Sequence, residues 1–126
     1  MTTESMKVIA SAMKQLDIPY RFGVWNSVPP DMYFVGEYQE TPSMNEDGMQ
    51  ETTFLLTGFT RGEWGELERA KEKIMSHFSK VGGKSVITAS GAAVAVFYSN
   101  SLIVPTGDGE LKRIQVNLII KEWSVN

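Results

Sequence analysis

The chain has 126 residues, a formal net charge of −3 and no cysteine, so it can bury one hydrophobic core but cannot form disulfides or thiolate metal sites. It contains neither the roughly 20-residue apolar run of a membrane helix nor the basic and apolar segments of a signal peptide. We therefore expect a single domain over residues 1–126 that is made in the cytoplasm and contacts no membrane. The weakly acidic balance argues against a nucleic-acid-binding protein.

The chain begins with a predicted helix over residues 4–16. Thr3 is the candidate N-cap, and Pro19 discourages continuation of the helix beyond Ile18. Apolar residues at helical spacing form one stripe, which consists of Met6, Ile9, Ala10, Met13 and Leu16.

Three strands are predicted next, because apolar and polar residues alternate with period two. They cover residues 18–25, 32–39 and 50–59. Pro29-Pro30 marks the first turn between them. The second connection, at 40–50, contains Pro42 and Asp47-Gly48 and is too long for a tight hairpin, so we expect a protruding, mobile loop.

A second helix is predicted over residues 62–80. Thr60 and Glu63 have the spacing of a capping box, and Phe59 and Trp64 stand at the positions of a hydrophobic staple. Gly82-Gly83 is expected to close the helix. Its predicted buried stripe consists of Trp64, Leu67, Ala70 or Lys71, Ile74 and Phe78.

The chain ends with two further predicted strands, at 92–99 and 111–123, separated by a turn at 105–110. The sequence thus predicts an α+β fold, in which two helices pack on a mainly antiparallel β-sheet in the order α-β-β-β-α-β-β. The predicted core includes Ile114, Val116, Leu118, Ile120, Leu67, Ile74 and Phe78.

No motif in the sequence dictates a chemistry. The Gly-Lys-Ser of 81–86 lacks the earlier glycine of a phosphate loop and follows a helix instead of a strand. His77 is the single histidine and has no nucleophile that the sequence pairs with it. Neither Asn45 and Asp47 nor Asp108 and Glu110 have the spacing of a calcium loop. We therefore expect no catalytic residue, no metal site and no cofactor.

The distribution of charge is uneven. Six carboxylates and no lysine or arginine lie between Arg21 and Arg61. One interpretation is a solvated acidic loop; the other is a surface that repels an anion or meets a basic partner. The candidate residues for such an interface or channel loop are Glu37, Glu40, Glu46, Asp47 and Glu51.

The arrangement as a whole resembles the tail terminator, or tail-completion, proteins of long-tailed bacteriophages and prophages. The resemblance covers most of the chain. It lies in the length, in the order of the elements, in the hairpin with its long acidic loop at 33–61, and in the final strand 114-IQVNLIIKEW-123. It implies a non-catalytic protein of the virion tail, made in the cytoplasm of the host bacterium.

The resemblance also implies partners. Members of this family form a hexameric ring that caps the tail tube and joins the tail to the head, so the expected partners are further copies of the chain, the tail tube protein and a head-completion or connector protein. DNA would pass through the ring without specific binding, beside the acidic loop. The alternative is a cytoplasmic α+β binding module or small enzyme with a pocket between helix and sheet.

Overall fold

The computed structural model describes residues 1–40, 48–79 and 84–123. In these segments the elements follow the order α-β-β-β-α-β-β-β, which is the α+β fold predicted from the sequence with one additional short strand. The elements are α1 (Thr3–Gln15), β1 (Tyr20–Phe22), β2 (Met32–Glu40), β3 (Met49–Thr60), α2 (Trp64–His77), β4 (Lys84–Ile87), β5 (Ala93–Ile103) and β6 (Lys112–Trp123).

The strands form one sheet in the order β1-β2-β3-β6-β5-β4. Only β1 and β2 are parallel among the strand pairs of the described segments; the other pairs are antiparallel. The two longest strands, β3 and β6, have 12 residues each and pair along their whole length at the centre of the sheet. The predicted pairing of the two hairpin strands, β2 and β3, is confirmed.

Both helices cover the same face of this sheet. Phe54 lies opposite Leu118, and Leu56 lies opposite Val116, and all four side chains are fully buried. The predicted core is confirmed, because the following residues join one buried cluster: Ile114, Val116, Leu118, Ile120, Leu67, Ile74 and Phe78. We call the opposite side of the sheet the outer face. No helix of the described segments packs against it, and its side chains on the central strands β3 and β6 are half-buried.

Helix α1 starts one residue earlier than predicted, because Thr2 and not Thr3 is its N-cap: the Thr2 hydroxyl accepts a hydrogen bond from the Ser5 amide at 3.1 Å. The helix ends in a Schellman motif. The amide of Ile18 donates to the carbonyl of Met13, and Asp17 takes the left-handed conformation with φ 57°. The predicted stripe is partly wrong, since Ala10 is exposed, whereas Ser5 and Ala12 are buried.

The predicted capping box at the start of α2 is wrong. Thr60 remains the last residue of β3, with its backbone paired on both sides, so it is not free to cap a helix. Its hydroxyl instead accepts from the Gly62 amide and donates to the Glu66 carboxylate. The N-cap is Glu63, without a side-chain cap. The staple between Phe59 and Trp64 fails with the box, because it requires Thr60 as the N-cap.

Helix α2 is also shorter than the predicted span of 62–80, and its C-cap is Phe78. Trp64 does not join the buried stripe; it is 38% exposed at the first position of the helix. Ala70, and not Lys71, takes the buried position between Leu67 and Ile74. The prediction that Gly82-Gly83 ends this helix concerns residues that lie outside the described segments.

The edges of the sheet differ most from the prediction. Strand β1 keeps three of the eight residues predicted, because the chain turns at Gly23, which has φ 84°. Strand β5 extends to Ile103 and contains a bulge between Tyr98 and Asn100. Strand β4, which was not predicted, pairs with only four residues of β5.

The substitution Leu118→Asp tests the facing of β6. It places a carboxylate without a partner in the centre of the core, and we expect it to cost at least about 3 kcal/mol of the free energy of unfolding. The matched control is Asn117→Asp, which adds the same charge one residue away on the outer face. Thermal unfolding followed by circular dichroism measures both variants. Equal melting temperatures would show that the assigned facing is wrong.

Candidate functional site

The acidic residues singled out in the sequence lie on the hairpin formed by β2 and β3. Glu37 and Glu40 belong to β2, and Glu51 belongs to β3. Glu46 and Asp47 lie outside the described residues. The prediction of a mobile, protruding loop at 40–50 likewise falls mainly on residues that are not described. The ends of β2 and β6 and the starts of β3 and β5 meet at one end of the sheet, with Met49 opposite Trp123 and Trp123 opposite Ala93. We call this the hairpin end.

The structure does not bring the acidic residues to a single face. Glu40 lies opposite the buried Thr52 and therefore on the helix side of the sheet. Glu37 lies opposite Leu55, and Glu51 lies one position before Thr52, so both belong to the outer face. Alternation along the strands thus separates Glu40 from the other two.

Glu40 has a positively charged neighbour inside the domain. Its carboxylate forms an ion pair with the amino group of Met1, which is itself buried. The same amino group lies 3.9 Å from a carboxylate oxygen of Glu122. The second Glu122 oxygen accepts a hydrogen bond from the Thr2 amide at 3.3 Å. Glu40 therefore belongs to an internal contact between the start of α1 and the sheet.

Glu122 is a buried carboxylate that the sequence prediction missed. It is 5% exposed, and its Oε1 atom has no hydrogen-bond partner among the described residues. The signal was present in the sequence, because Glu122 continues the inward positions of Leu118 and Ile120 by one further step of two. A buried carboxylate requires compensation by a hydrogen bond or a positive charge, which the Thr2 amide and the Met1 amino group supply.

Glu51 also has a basic neighbour. In the register of β3 and β6 it lies directly opposite Lys121 on the outer face, and the Lys121 ammonium lies 5.7 Å from the centre of the Phe97 ring. Near the same end, the Ser90 hydroxyl donates to the Glu4 carboxylate at 2.8 Å. Hydrogen bonds from Thr88 and Ser90 lower the pKa of Glu4. Among the candidate acidic residues of the described segments, Glu37 is the one for which no such internal contact is seen.

The other sites considered in the sequence occupy structural positions. His77 lies in the last turn of α2, with its ring edge-on to Phe78 at 4.7 Å between centres. Lys84 and Ser85 are part of strand β4. Among the described residues, no three acidic, histidine or cysteine side chains are grouped so that they could hold a metal ion.

A cavity of about 360 Å³ lies between α1, the end of α2 and the region of β4. Its walls are mainly apolar and include Val8, Phe78 and Val86, with Lys7 and His77 as polar groups. This size and character suit a small ligand. The cavity corresponds to the pocket between helix and sheet that the alternative function requires.

Comparison with models of known protein families found no family that matches the chain, and comparison with curated proteins found no match either. Within the described segments, neither helix is long and apolar enough to cross a membrane. A proposal for the function therefore depends on the geometry and charges of the chain itself.

The pairing of Glu51 with Lys121 leads to a testable prediction. Glu51→Lys places two positive charges opposite each other, and Lys121→Glu places two negative charges there; each should lower the free energy of unfolding by about 0.2–1 kcal/mol. The double variant with exchanged charges should recover most of that loss. Urea denaturation of the four proteins gives the coupling energy. A coupling energy of zero would show that Glu51 and Lys121 do not stabilise each other.

Proposed function

We propose that this chain is a non-catalytic structural protein of a bacteriophage or prophage virion, which forms a ring at the end of the tail tube and joins the tail to the head. The observation that carries the proposal is the acidic β2–β3 hairpin. Five of the six carboxylates between Arg21 and Arg61 belong to its sequence, and the sixth, Asp31, directly precedes β2. The α+β order and the hairpin also agree with the resemblance to tail terminator proteins.

The negative charge of the hairpin supports a role in lining a channel through which DNA passes without being bound. Lysine and arginine side chains hold a duplex by releasing its counterions, so a channel through which DNA moves should lack them. Carboxylates repel phosphates and leave the duplex free to slide. The segment between Arg21 and Arg61 meets this requirement, since it carries no basic residue.

The internal contacts of Glu40 and Glu51 reduce the number of acidic residues that are available to a partner or to the channel. Glu40 pairs with the Met1 amino group, and Glu51 lies opposite Lys121. The candidate carboxylates that remain for a partner or for the channel are therefore Glu37 and, in the loop sequence, Glu46 and Asp47. Substitutions in the loop test the charge without disturbing the contacts of Glu40.

The test replaces both Glu46 and Asp47 by lysine in the phage or prophage that encodes the chain. The isolated domain should stay folded, because the loop sequence is polar and rich in turn-forming residues. We expect a loss of infectious particles, since lysines would hold the DNA or repel a basic surface of a neighbouring protein. Plaque titre and electron microscopy of tails and heads are the measurements.

The matched control is the neutral pair Glu46→Gln and Asp47→Asn, which removes the negative charges without adding positive ones. It should retain more infectivity than the lysine pair. Complementation of a deletion by the wild-type gene tests the wider proposal, because a deletion should leave filled heads and tails unjoined. Normal infectivity of the lysine variant would identify the acidic run as a solvated surface only.

A second candidate function, favoured by the apolar cavity beside α1, is a ligand-binding module or a small enzyme. The residues that would serve it are the apolar wall at Val8 and Phe78 and the polar groups Lys7 and His77. The described lining of the cavity also contains the hydroxyl groups of Ser11 and Thr88. A binding role requires only the size and apolar character of the cavity, whereas an enzyme would also require a base that activates one of these hydroxyls.

The substitutions His77→Ala and Val8→Trp distinguish the two candidates. If the chain is a structural protein, His77→Ala should support tail joining as well as the wild type does. Val8→Trp fills the cavity and would abolish the thermal stabilisation by any small ligand that binds there. A ligand that raises the melting temperature of the wild type but not of Val8→Trp would favour the second candidate.

A further inference from the structure

Besides the outer edges of the short strands β1 and β4, the sheet has two strand segments that no described strand covers. Strand β1 pairs only with Phe34–Gly36 of β2, which leaves the outer edge of residues 37–40 without a neighbouring strand in the described segments. Strand β4 pairs only with Ala93–Val96 of β5. The last residues of β5, from Asn100 to Ile103, pair with β6 on one side and with no strand of the described segments on the other.

Hydrogen bonds show which backbone groups point away from the sheet. The amide of Phe34 donates to the Pro19 carbonyl, and the Gly36 carbonyl accepts from Gly23, so these residues of β2 point outward. Backbone groups alternate along a strand. Tyr38 and Glu40 therefore also direct their amides and carbonyls outward, beyond the end of β1.

The same argument applies to β5. The Val104 amide donates to the carbonyl of Arg113 in β6 and therefore points into the sheet. By alternation, Ile103 and Ser101 direct their amides and carbonyls away from β6. Each edge thus presents two residues, spaced by two positions, whose backbone groups have no strand partner within the described segments. Such an edge is a template for pairing with another chain.

We infer that these two edges pair with each other in successive copies of this chain, with Tyr38 of one copy opposite Ile103 of the next and Glu40 opposite Ser101. Strands β2 and β5 are separated by three antiparallel steps through β3 and β6, so they run in opposite directions. Copies placed side by side in the same orientation therefore meet as antiparallel strands. The inference rests on the proposed function in naming a second copy as the partner.

The exposed apolar side chains match this register. Tyr38 is 41% exposed and Ile103 is 60% exposed, and both lie on the helix side of the sheet. Phe22 stacks on Tyr38 at 6.0 Å, and Trp64 shares a groove with Ile103. Pairing of Tyr38 with Ile103 brings these two apolar groups together on one face and removes them from water.

The charges match the same register on the outer face. Glu37 of one copy comes opposite Val104 of the next, and Val104 is the neighbour of Arg113 in the adjacent strand. The Glu37 carboxylate and the Arg113 guanidinium then share one row of the joined sheet. Arg113 donates to the Pro105 carbonyl through Nη2, and its Nε has no hydrogen-bond partner in the described part of the chain. Because Glu37 and Arg113 have opposite charges, a second copy of this chain is the partner that the edge of β2 fits.

Cysteine pairs test the register directly, because the chain has no cysteine of its own. In the inferred register Gln39 lies opposite Leu102 at a position without mutual hydrogen bonds, where the Cα atoms of antiparallel strands are about 4.5 Å apart. Both side chains are exposed on the outer face. Gln39→Cys combined with Leu102→Cys should form a ladder of covalent oligomers under mild oxidation.

Two control pairs have equally accessible cysteines at wrong positions. Gln39→Cys with Ile103→Cys places the second thiol on the opposite face, and Val28→Cys with Leu102→Cys places one thiol in the loop between β1 and β2 instead of on β2. Both controls should stay mainly uncrosslinked at the same protein concentration. Equal cross-linking in all three pairs, or none in the first, would overturn the inferred interface.

A charge exchange provides an independent measurement. Glu37→Arg and Arg113→Glu should each weaken self-association severalfold in sedimentation experiments, and the double variant should restore it. Circular dichroism verifies that each variant is folded. Single variants that associate as the wild type does would overturn the pairing of Glu37 with Arg113.

The outcomes separate this inference from the proposed function. Rings visible by electron microscopy without the 39–102 cross-link would remove this interface and leave the proposed function in place. Cross-linked oligomers of a chain whose deletion has no effect on tail joining would support the interface and remove the proposed function. A chain that stays monomeric up to millimolar concentration would overturn the inferred interface.

Discussion

The pairing of β3 with β6 is the constraint on which the rest of the structure depends. Each of these strands has a second neighbour, β2 on one side and β5 on the other, so their register determines the rows of the whole sheet. A slip of one residue would turn Phe54 and Leu118 from the core to the outer face. Burial of these side chains under the helices therefore fixes the positions of all charged residues along both strands.

This constraint explains which features could be predicted from the sequence. Alternation is strongest where one face is buried, and for this reason the inward residues of β6 and the pairing of the hairpin were predicted correctly. The short strand β4 has four residues, too few for alternation to be distinguished from a loop. The prediction of the capping box was wrong because Thr60 is paired in the sheet as the last residue of β3, and this pairing prevails over the local helix-capping motif.

The candidate site was predicted less well, for a related reason. A cluster of acidic residues in the sequence becomes two groups in space when it lies on strands, because successive side chains point to opposite faces. Glu40 contacts the Met1 amino group, which also lies near the buried Glu122, whereas Glu37 and Glu51 lie on the outer face. Charge in the sequence located the hairpin, but the partners of each carboxylate depended on strands that are distant along the chain.

The edges of the same sheet bear on the proposed function in assembly. The two uncovered segments differ from each other, so a contact between them is head-to-tail and every copy that joins presents a new free edge. Such contacts end only when the copies close into a ring or when the supply of copies is exhausted. An open series would keep an unpaired edge at each end, with Tyr38 or Ile103 exposed to further association. A closed ring pairs both of these segments in every copy, and closure is therefore the arrangement in which neither segment is left as a template for aggregation.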